Sequence, residues 1–303
     1  MTTRAPGMDH GLYPYSALPS RPSLRWPGGA QVAVSIVLYL EHWEMVPPGS
    51  ALRDPRFKDP FGDFAPDYRT YTMREYGNRV AIFRIFEALD RIGWPVTVAT
   101  NAAACARYPN LIAACAVRGW EFAAHGIHAT RMISARLEES EERRVIAEAA
   151  ATLETATGTA PVGWIAQDFG ESVRTPQILA EAGFKYLAHW PNDDQPYWMS
   201  TSPRLLSIPC QAEWDDVTLQ WHRRIPATRV PGLIDEALAV LHEEGADSGR
   251  TLSLGIHPWL WGMPHRIRYL NETLDRLAAY DRVWPARLGD VAGFIERNPE
   301  MIP

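Results

Sequence analysis

Two closely spaced histidines are the first residues of this sequence that could do chemistry. His125 and His128 lie in the stretch EFAAHGIHATRM, where a short apolar run ends at His125 and a glycine follows. An imidazole can bind a metal, transfer protons near neutral pH, or hydrogen-bond to the backbone at the end of a strand. The spacing alone leaves these three alternatives open.

Two further polar residues stand at the ends of apolar runs. Glu41 follows QVAVSIVLYL, and His257 ends TLSLGIH. A carboxyl group at an apolar strand end can have a raised pKa and act as a general base toward water, so we expect this of Glu41. His257 could protonate a leaving nitrogen, and His125 could bind a metal or polarise a carbonyl. We predict that the three are catalytic and share one pocket. The alternatives are a surface carboxylate and histidines bonded to the backbone.

The elements that must position these residues alternate along the chain. Apolar runs predict strands at 31–40, 95–100, 121–125, 162–166, 184–189, 205–210, 251–257 and 283–287. Helical periodicity predicts helices at 78–93, 108–118, 138–157, 173–182, 230–244, 264–280 and 289–297. Strands that alternate with helices indicate an α/β fold with a parallel sheet, and eight of them favour a (β/α) barrel. The carboxyl ends of all strands then meet on one face, where active sites are built.

The domain organisation follows from composition. Residues 1–29 are rich in Pro and Gly and are predicted to be an N-terminal arm on the surface. Residues 30–303 show no change in composition that would mark a linker, so we expect a single domain there. The stretch from Glu41 to Tyr76 is predicted to be a long loop. Its tyrosines (Tyr68, Tyr71 and Tyr76) suggest a lid over the pocket.

Composition and charge exclude several classes of protein. The 303 residues are 46% hydrophobic and 22% charged, which is typical of a soluble globular protein. The net charge of −6 and the absence of a basic run argue against a nucleic-acid partner. There is no apolar run long enough to span a membrane and no signal-peptide core, so we expect a cytoplasmic protein. Cys105, Cys115 and Cys210 form no C-x-x-C pair, which favours reduced, buried thiols.

Several motifs resemble one family. RWPGGAQVAVSIVLY followed by acidic residues, HG after the third strand, GFKYLAHW, NDDQPYW and SLGIHPW are similar to the polysaccharide deacetylase superfamily (NodB homology, carbohydrate esterase family 4). The nearest subgroup comprises metal-independent allantoinases, cyclic imide hydrolases and cytoplasmic peptidoglycan-deacetylase-like proteins. The resemblance covers about residues 25 to 297. It implies a distorted barrel of seven to eight strands that hydrolyses carbon–nitrogen bonds other than peptide bonds.

The metal site of the family is matched only in part. The resemblance implies an acidic pair after the first strand, two histidines four residues apart as metal ligands, and a late histidine as general acid. Glu41 and His257 match, but His42 follows Glu41, and Ala129 stands four residues after His125. His125, His128 and His42 are therefore the candidate ligands of a possible zinc ion. The two departures favour activity without a metal cofactor, with His125 as a hydrogen-bond donor.

Residues after other strands and in aromatic loops could bind substrate. These candidates are Trp43, Asn101, Gln167, Asp193, Asp194 and Trp198. The two aspartates could equally cap a turn through their own backbone, and each tryptophan could equally belong to the core.

Two functions from different classes are consistent with these residues. The first is a hydrolase of a small linear or cyclic amide, with that small molecule as its partner. A homo-oligomeric assembly is compatible with this function. The second is a non-catalytic descendant of the deacetylase fold that binds a small molecule in the barrel mouth. The changes among the family's metal-binding residues are the reason to consider it. Turnover of amides, hydantoins or imides would separate the two.

Overall fold

A parallel β-sheet forms the centre of the molecule. The computed structural model describes residues 7–51 and 66–303, and within them nine strands form one sheet. They are β1 (Val32–Leu40), β2 (Val96–Thr100), β3 (Glu121–Ala124), β4 (Gly163–Ile165), β5 (Tyr186–Ala188), β6 (Tyr197–Trp198), β7 (Leu206–Ile208), β8 (Arg250–Ile256) and β9 (Val283–Pro285). The eight predicted strands are all present within two residues of their predicted bounds, and β6 is the additional one.

Helices connect most of these strands. They are α1 (Tyr68–Tyr76), α2 (Ile82–Ile92), α3 (Ala102–Arg107), α4 (Pro109–Val117), α5 (Glu139–Thr157), α6 (Thr175–Glu181), α7 (Val230–Gly245), α8 (Pro258–Trp261), α9 (Ile267–Ala278) and α10 (Leu288–Arg297). Glycine ends two of these helices, because Gly93 and Gly158 adopt the left-handed conformation at the C-caps of α2 and α5. The seven predicted helices are all present, and α1, α3 and α8 are additional.

The sheet has the order β6-β7-β5-β4-β3-β2-β1-β8. Every pairing is parallel except that of β6 with β7, and β9 pairs with the first residues of β1. Inward-facing side chains of β1, β2, β3, β4, β5 and β7 form one core cluster with α10, while the helices cover the other face. A core enclosed by most strands of one sheet is the packing of a barrel. The α/β fold and the distorted barrel expected from the sequence are therefore confirmed.

The barrel is closed at one place by loops. Strands β7 and β8 are not neighbours in the sheet. At this seam the backbone N–H of Thr251 donates to the carbonyl of Asp194 at 2.8 Å, and the indole N–H of Trp214 donates to the carbonyl of Ser253 at 3.1 Å. These bonds satisfy the edge of β8 that no strand covers. The loop after β7 thereby comes to lie beside the carboxyl end of β8.

The predicted loop from Glu41 to Tyr76 is wrong in its last part, because α1 occupies residues 68–76. Residues 52–65, in the middle of the proposed lid, lie outside the described residues. A short π-helical segment, Gly77–Ala81, joins α1 to α2. In α2, which follows it, Phe86 is buried and Phe83 is 46% exposed.

The N-terminal arm packs against the amino-terminal end of the barrel. Leu24 and Trp26 are buried in the inner core cluster, and the indole N–H of Trp26 donates to the carbonyl of Arg250, the first residue of β8. The three cysteines are free and buried, as predicted. Within residues 7–51 and 66–303, the helices are all too short or too polar to cross a bilayer.

Candidate active site

Glu41, His125 and His257 come together at the carboxyl ends of three parallel strands. Oε1 of Glu41 lies 3.3 Å from Nε2 of His125, and Oε2 lies 4.0 Å from Nε2 of His257. The three residues directly follow β1, β3 and β8. Their proximity follows from the parallel register, because β2 and β8 flank β1 and β3 pairs with β2. The structure thus brings together the three side chains expected to be catalytic.

Buried amides fix the backbone around this cluster. The Asn101 carbonyl oxygen accepts from the backbone N–H of His42 at 3.1 Å, and its amide donates to the backbone carbonyl of His125. The Asn78 amide donates to the carbonyl of Glu41 at 2.7 Å. Asn101 is fully buried and both ends of its amide are occupied by backbone groups. The sequence suggested Asn101 as a substrate-binding residue. In the structure its side chain instead positions two strand ends.

Gln167 has a similar structural role. Its amide donates to the backbone carbonyl of His128, and only 3% of the residue is exposed. Gly126 has a φ of 70°, and a Cβ atom there would lie 2.3 Å from the Gln167 carbonyl oxygen. The HG motif thus requires glycine at position 126 for two reasons: the backbone is in the left-handed region, and any larger side chain would collide with Gln167.

The hydrogen bonds of His125 define where its protons lie. Its Nδ1 donates to the carbonyl oxygen of Ile165 at 2.7 Å, because a carbonyl can only accept. Its Nε2 lies 3.3 Å from Oε1 of Glu41, and an ionised carboxylate can only accept a hydrogen bond. His125 is therefore a hydrogen-bond donor in this cluster.

The protonation of Glu41 differs from the expectation. Burial by itself raises the pKa of Glu41, as predicted for an apolar strand end. The hydrogen bond from His125 and the positive charge of His257 outweigh burial and lower the pKa to about 2. Arg74 adds a smaller effect in the same direction. The prediction of a raised pKa was wrong because cations that are distant in the sequence surround this carboxylate in the fold.

His257 is held by Asp216. Nδ1 of His257 lies 2.6 Å from Oδ1 of Asp216, and the backbone N–H of His257 donates to Oδ2 at 2.6 Å. Burial lowers the pKa of His257, but the charge and hydrogen bond of Asp216 outweigh it and raise the pKa to about 9. His257 is thus protonated at neutral pH, and its Nε2 proton points toward the cluster without a direct bond to Glu41.

Tyr39 connects the cluster to a small pocket. Its ring stacks on the His257 ring with the centroids 3.9 Å apart and the planes at 6°, and its hydroxyl hydrogen-bonds to Nε2 of His189. Burial lowers the pKa of His189 to about 3, so this imidazole is neutral. Tyr39 and His189 also line a pocket of about 260 Å³, including its mouth, together with Val37, Phe169, Cys210, Gln211, Asp215, Ser253 and Gly255.

An arginine from α1 lies beside the same cluster. Arg74 is 4% exposed, and its guanidinium carbon lies 4.2 Å from the centre of the Trp43 ring and 3.2 Å from that of Trp259. The Trp43 indole N–H donates to Oε2 of Glu41 at 3.2 Å. Trp43 therefore belongs to the site, as expected from its position after β1.

The predicted zinc ligands do not form one ligand group. Nε2 of His128 lies 4.0 Å from Oε1 of Glu44. The rings of His42 and His128 have their centroids 5.8 Å apart, and Nδ1 of His42 lies 3.3 Å from the Tyr108 hydroxyl. Both nitrogens of His125 are engaged elsewhere. The side chains of His125, His128 and His42 therefore do not rebuild the family's ligand set.

One other group of side chains does have the compactness of a metal site. Among the described residues, the ligand atoms of Asp215, Asp216 and His257 alone lie within 4.8 Å of one another. The 2.6 Å contact between His257 Nδ1 and Asp216 is the length of a charge-assisted hydrogen bond, and a metal on Nδ1 would have to replace it. The distance between His257 and Asp216 is therefore that of a hydrogen-bonded aspartate–histidine pair rather than of two ligands of one metal ion.

Three predicted substrate contacts lie elsewhere. Asp193 accepts two hydrogen bonds from the guanidinium of Arg21 and also bonds to backbone N–H groups of its own turn. The backbone carbonyl of Asp194 accepts from the backbone N–H of Thr251. Thr251 lies six residues before His257, which is about 20 Å along the strand. Trp198 pairs with Leu206 at the start of β7. The structure therefore places these three residues at the seam or the opposite end of the barrel, and not beside Glu41, His125 and His257.

Comparisons with known proteins agree with this geometry. The family model described as polysaccharide deacetylase matches residues 70–187. The crystal structure of a probable polysaccharide deacetylase from Pseudomonas aeruginosa PAO1 is similar with a TM-score of 0.80 and 29% identity, over 91% of this chain and 94% of that one. The crystal structure of PuuE allantoinase is similar with a TM-score of 0.80 and 27% identity, over 91% and 94% of the two chains. A curated protein of Schizosaccharomyces pombe, provisionally named a polysaccharide deacetylase, is 24% identical over 304 residues, covering 88% of this chain and 91% of the relative.

Proposed function

Because this chain belongs to the polysaccharide deacetylase superfamily, as its motifs predicted, we propose that it hydrolyses a carbon–nitrogen bond other than a peptide bond in a small linear or cyclic amide. The observation that carries the proposal is the pairing of an ionised carboxylate with a protonated imidazole. Glu41 has a pKa of about 2 and His257 a pKa of about 9, with their side chains 4.0 Å apart.

The two groups have the charges that amide hydrolysis needs. The Glu41 carboxylate accepts a proton from water while the water oxygen forms a bond to the amide carbonyl carbon. Nε2 of His257 then donates its proton to the nitrogen as the carbon–nitrogen bond breaks, so that an amine and not an amide anion leaves. The low pKa of Glu41 makes it a weak base, so the acid carries the larger share of catalysis.

Other residues stabilise the intermediate and limit the substrate. The Nε2 proton of His125 is available to the developing oxyanion, because Glu41 loses negative charge as it takes the proton from water. The pocket beside Tyr39 is small and lies next to His257, which supports a small molecule rather than a polymer as the substrate.

A panel of small amides, hydantoins and cyclic imides tests the proposal. We expect the purified protein to open or cleave at least one of them, and Glu41→Gln to lose this activity while it still binds the compound. Binding without turnover by the wild-type protein would instead support the non-catalytic alternative.

A further inference from the structure

Arg74 lies in an aromatic site that contacts both members of the proposed catalytic pair. Its guanidinium is stacked between Trp43 and Trp259, at 4.2 Å and 3.2 Å from the ring centres. Cation–π contacts of a buried arginine are stronger than exposed ones because water does not compete for the charge. The two rings are thereby held at fixed positions on either side of one side chain.

Each of these rings touches a different catalytic group. The Trp43 indole N–H donates to Oε2 of Glu41 at 3.2 Å. The Trp259 ring contacts the His257 ring edge-on, with centroids 6.2 Å apart. Arg74 is therefore the side chain through which the surroundings of Glu41 and of His257 are mechanically connected.

The backbone that carries Arg74 is also closely fitted. Gly77 follows α1, and a Cβ atom at this position would lie 2.9 Å from the backbone nitrogen of Trp259. The Asn78 side chain, one residue later, donates to the backbone carbonyl of Glu41 at 2.7 Å. Such close packing leaves α1 little freedom to move relative to α8, so the position of Arg74 is well defined.

We infer that Arg74 is a positioning residue, which holds Trp43 against Glu41 and Trp259 beside His257 and so fixes the two groups relative to each other. This inference rests on the proposed function for its effect on catalysis. It needs no contact between Arg74 and the substrate. A loss of this alignment by about 1 Å costs on the order of 100-fold in rate.

Kinetics and NMR of Arg74→Met test the inference together. The variant keeps an unbranched apolar side chain between the rings but removes the cation. We expect kcat to fall about 100-fold with KM nearly unchanged, and Arg74→Lys to recover part of the loss. The indole N–H signal of Trp43, assigned by its absence in Trp43→Phe, should move upfield in Arg74→Met as the bond to Glu41 weakens.

Arg79→Met is the matched control, since Arg79 is on the same helical segment with its side chain 70% exposed. It should change neither kcat nor the Trp43 signal. An unchanged Trp43 signal in Arg74→Met, or a shifted signal with unchanged kcat, would overturn the inference. If Arg74→Met does not fold, Trp43→Phe is measured instead, because phenylalanine keeps the stacking on Arg74 but has no N–H to donate to Glu41. Full activity of Trp43→Phe would likewise overturn the inference. If the wild-type protein turns over none of the amides, the proposed function fails, and the NMR result alone decides whether Arg74 holds Trp43.

Discussion

Asp216 binds His257 through both of its carboxylate oxygens, one on the imidazole Nδ1 and one on the backbone N–H, each at 2.6 Å. This arrangement fixes the ring orientation and stabilises the imidazolium form. Asp216 is 1% exposed, so little solvent screens the pair. His257 can therefore present a proton to a substrate nitrogen at neutral pH.

Replacing His257 should affect catalysis more than binding. We expect His257→Ala to lower kcat by about 10²–10⁴-fold with a small change in KM, because a general acid acts mainly in the transition state. Steady-state kinetics on the best amide of the panel measure both constants. The exposed His265 serves as control, and His265→Ala should leave both unchanged. An unchanged kcat in His257→Ala would remove the residue from the mechanism.

Chelation should leave the activity intact. His125, His128 and His42 do not converge on one point, and His257 Nδ1 is bonded to Asp216. We therefore expect turnover to survive dialysis against EDTA, with a metal analysis of the dialysed protein as the check. Activity that disappears on chelation and returns with zinc would show that the side chains rearrange into a ligand set.

A second buried carboxyl should make stability depend on pH. Burial and the charge of Glu142 raise the pKa of Glu171 from 4.5 to about 8, and its Oε1 has no hydrogen-bond partner among the described residues. The unfolded chain releases this proton near pH 4.5, so the contribution to stability is complete below that pH and is lost as pH rises through about 8.

Glu171→Gln should therefore raise Tm at pH 8 relative to the wild-type protein and change it little at pH 4. Its amide can still accept the hydrogen bond from the Trp190 indole, which is 2.7 Å long in the wild-type protein. The exposed Glu300 provides a control substitution, Glu300→Gln. Equal pH dependence of Tm in the wild-type protein and Glu171→Gln would mean that Glu171 is already ionised in the native state.

The sequence predicted the fold well because the signals were long and local. The apolar run of β1 and the alternation of strands with helices suffice for a parallel α/β barrel. The elements that were missed have weak signals: β6 has two residues and α8 has four. The sequence of α1 has no apolar stripe, since Arg74 is its one buried residue and packs against aromatic rings.

The site was predictable only where a strand end carried it. Glu41, His125 and His257 were found because residues after parallel strands meet on one face. Asp216 and Arg74 were missed because Asp216 lies in the connection between β7 and α7 and Arg74 lies in α1, and only the folded chain brings them to the cluster. The contact of Asp193 with Arg21 could not be predicted, because a polar residue in an aromatic loop gives the same sequence pattern whether it binds a ligand or another side chain.

The pH dependence of kcat/KM for the wild-type protein and Asp216→Asn tests the central claim most directly. Activity needs a protonated His257, so in the wild-type protein it should fall as pH rises through about 9. Asparagine keeps the shape of Asp216 but removes the charge that raises the pKa of His257. The account predicts that the alkaline limb moves to lower pH in Asp216→Asn, with activity retained on its acidic side. The same alkaline limb in both proteins would contradict the assignment of His257, held by Asp216, as the general acid.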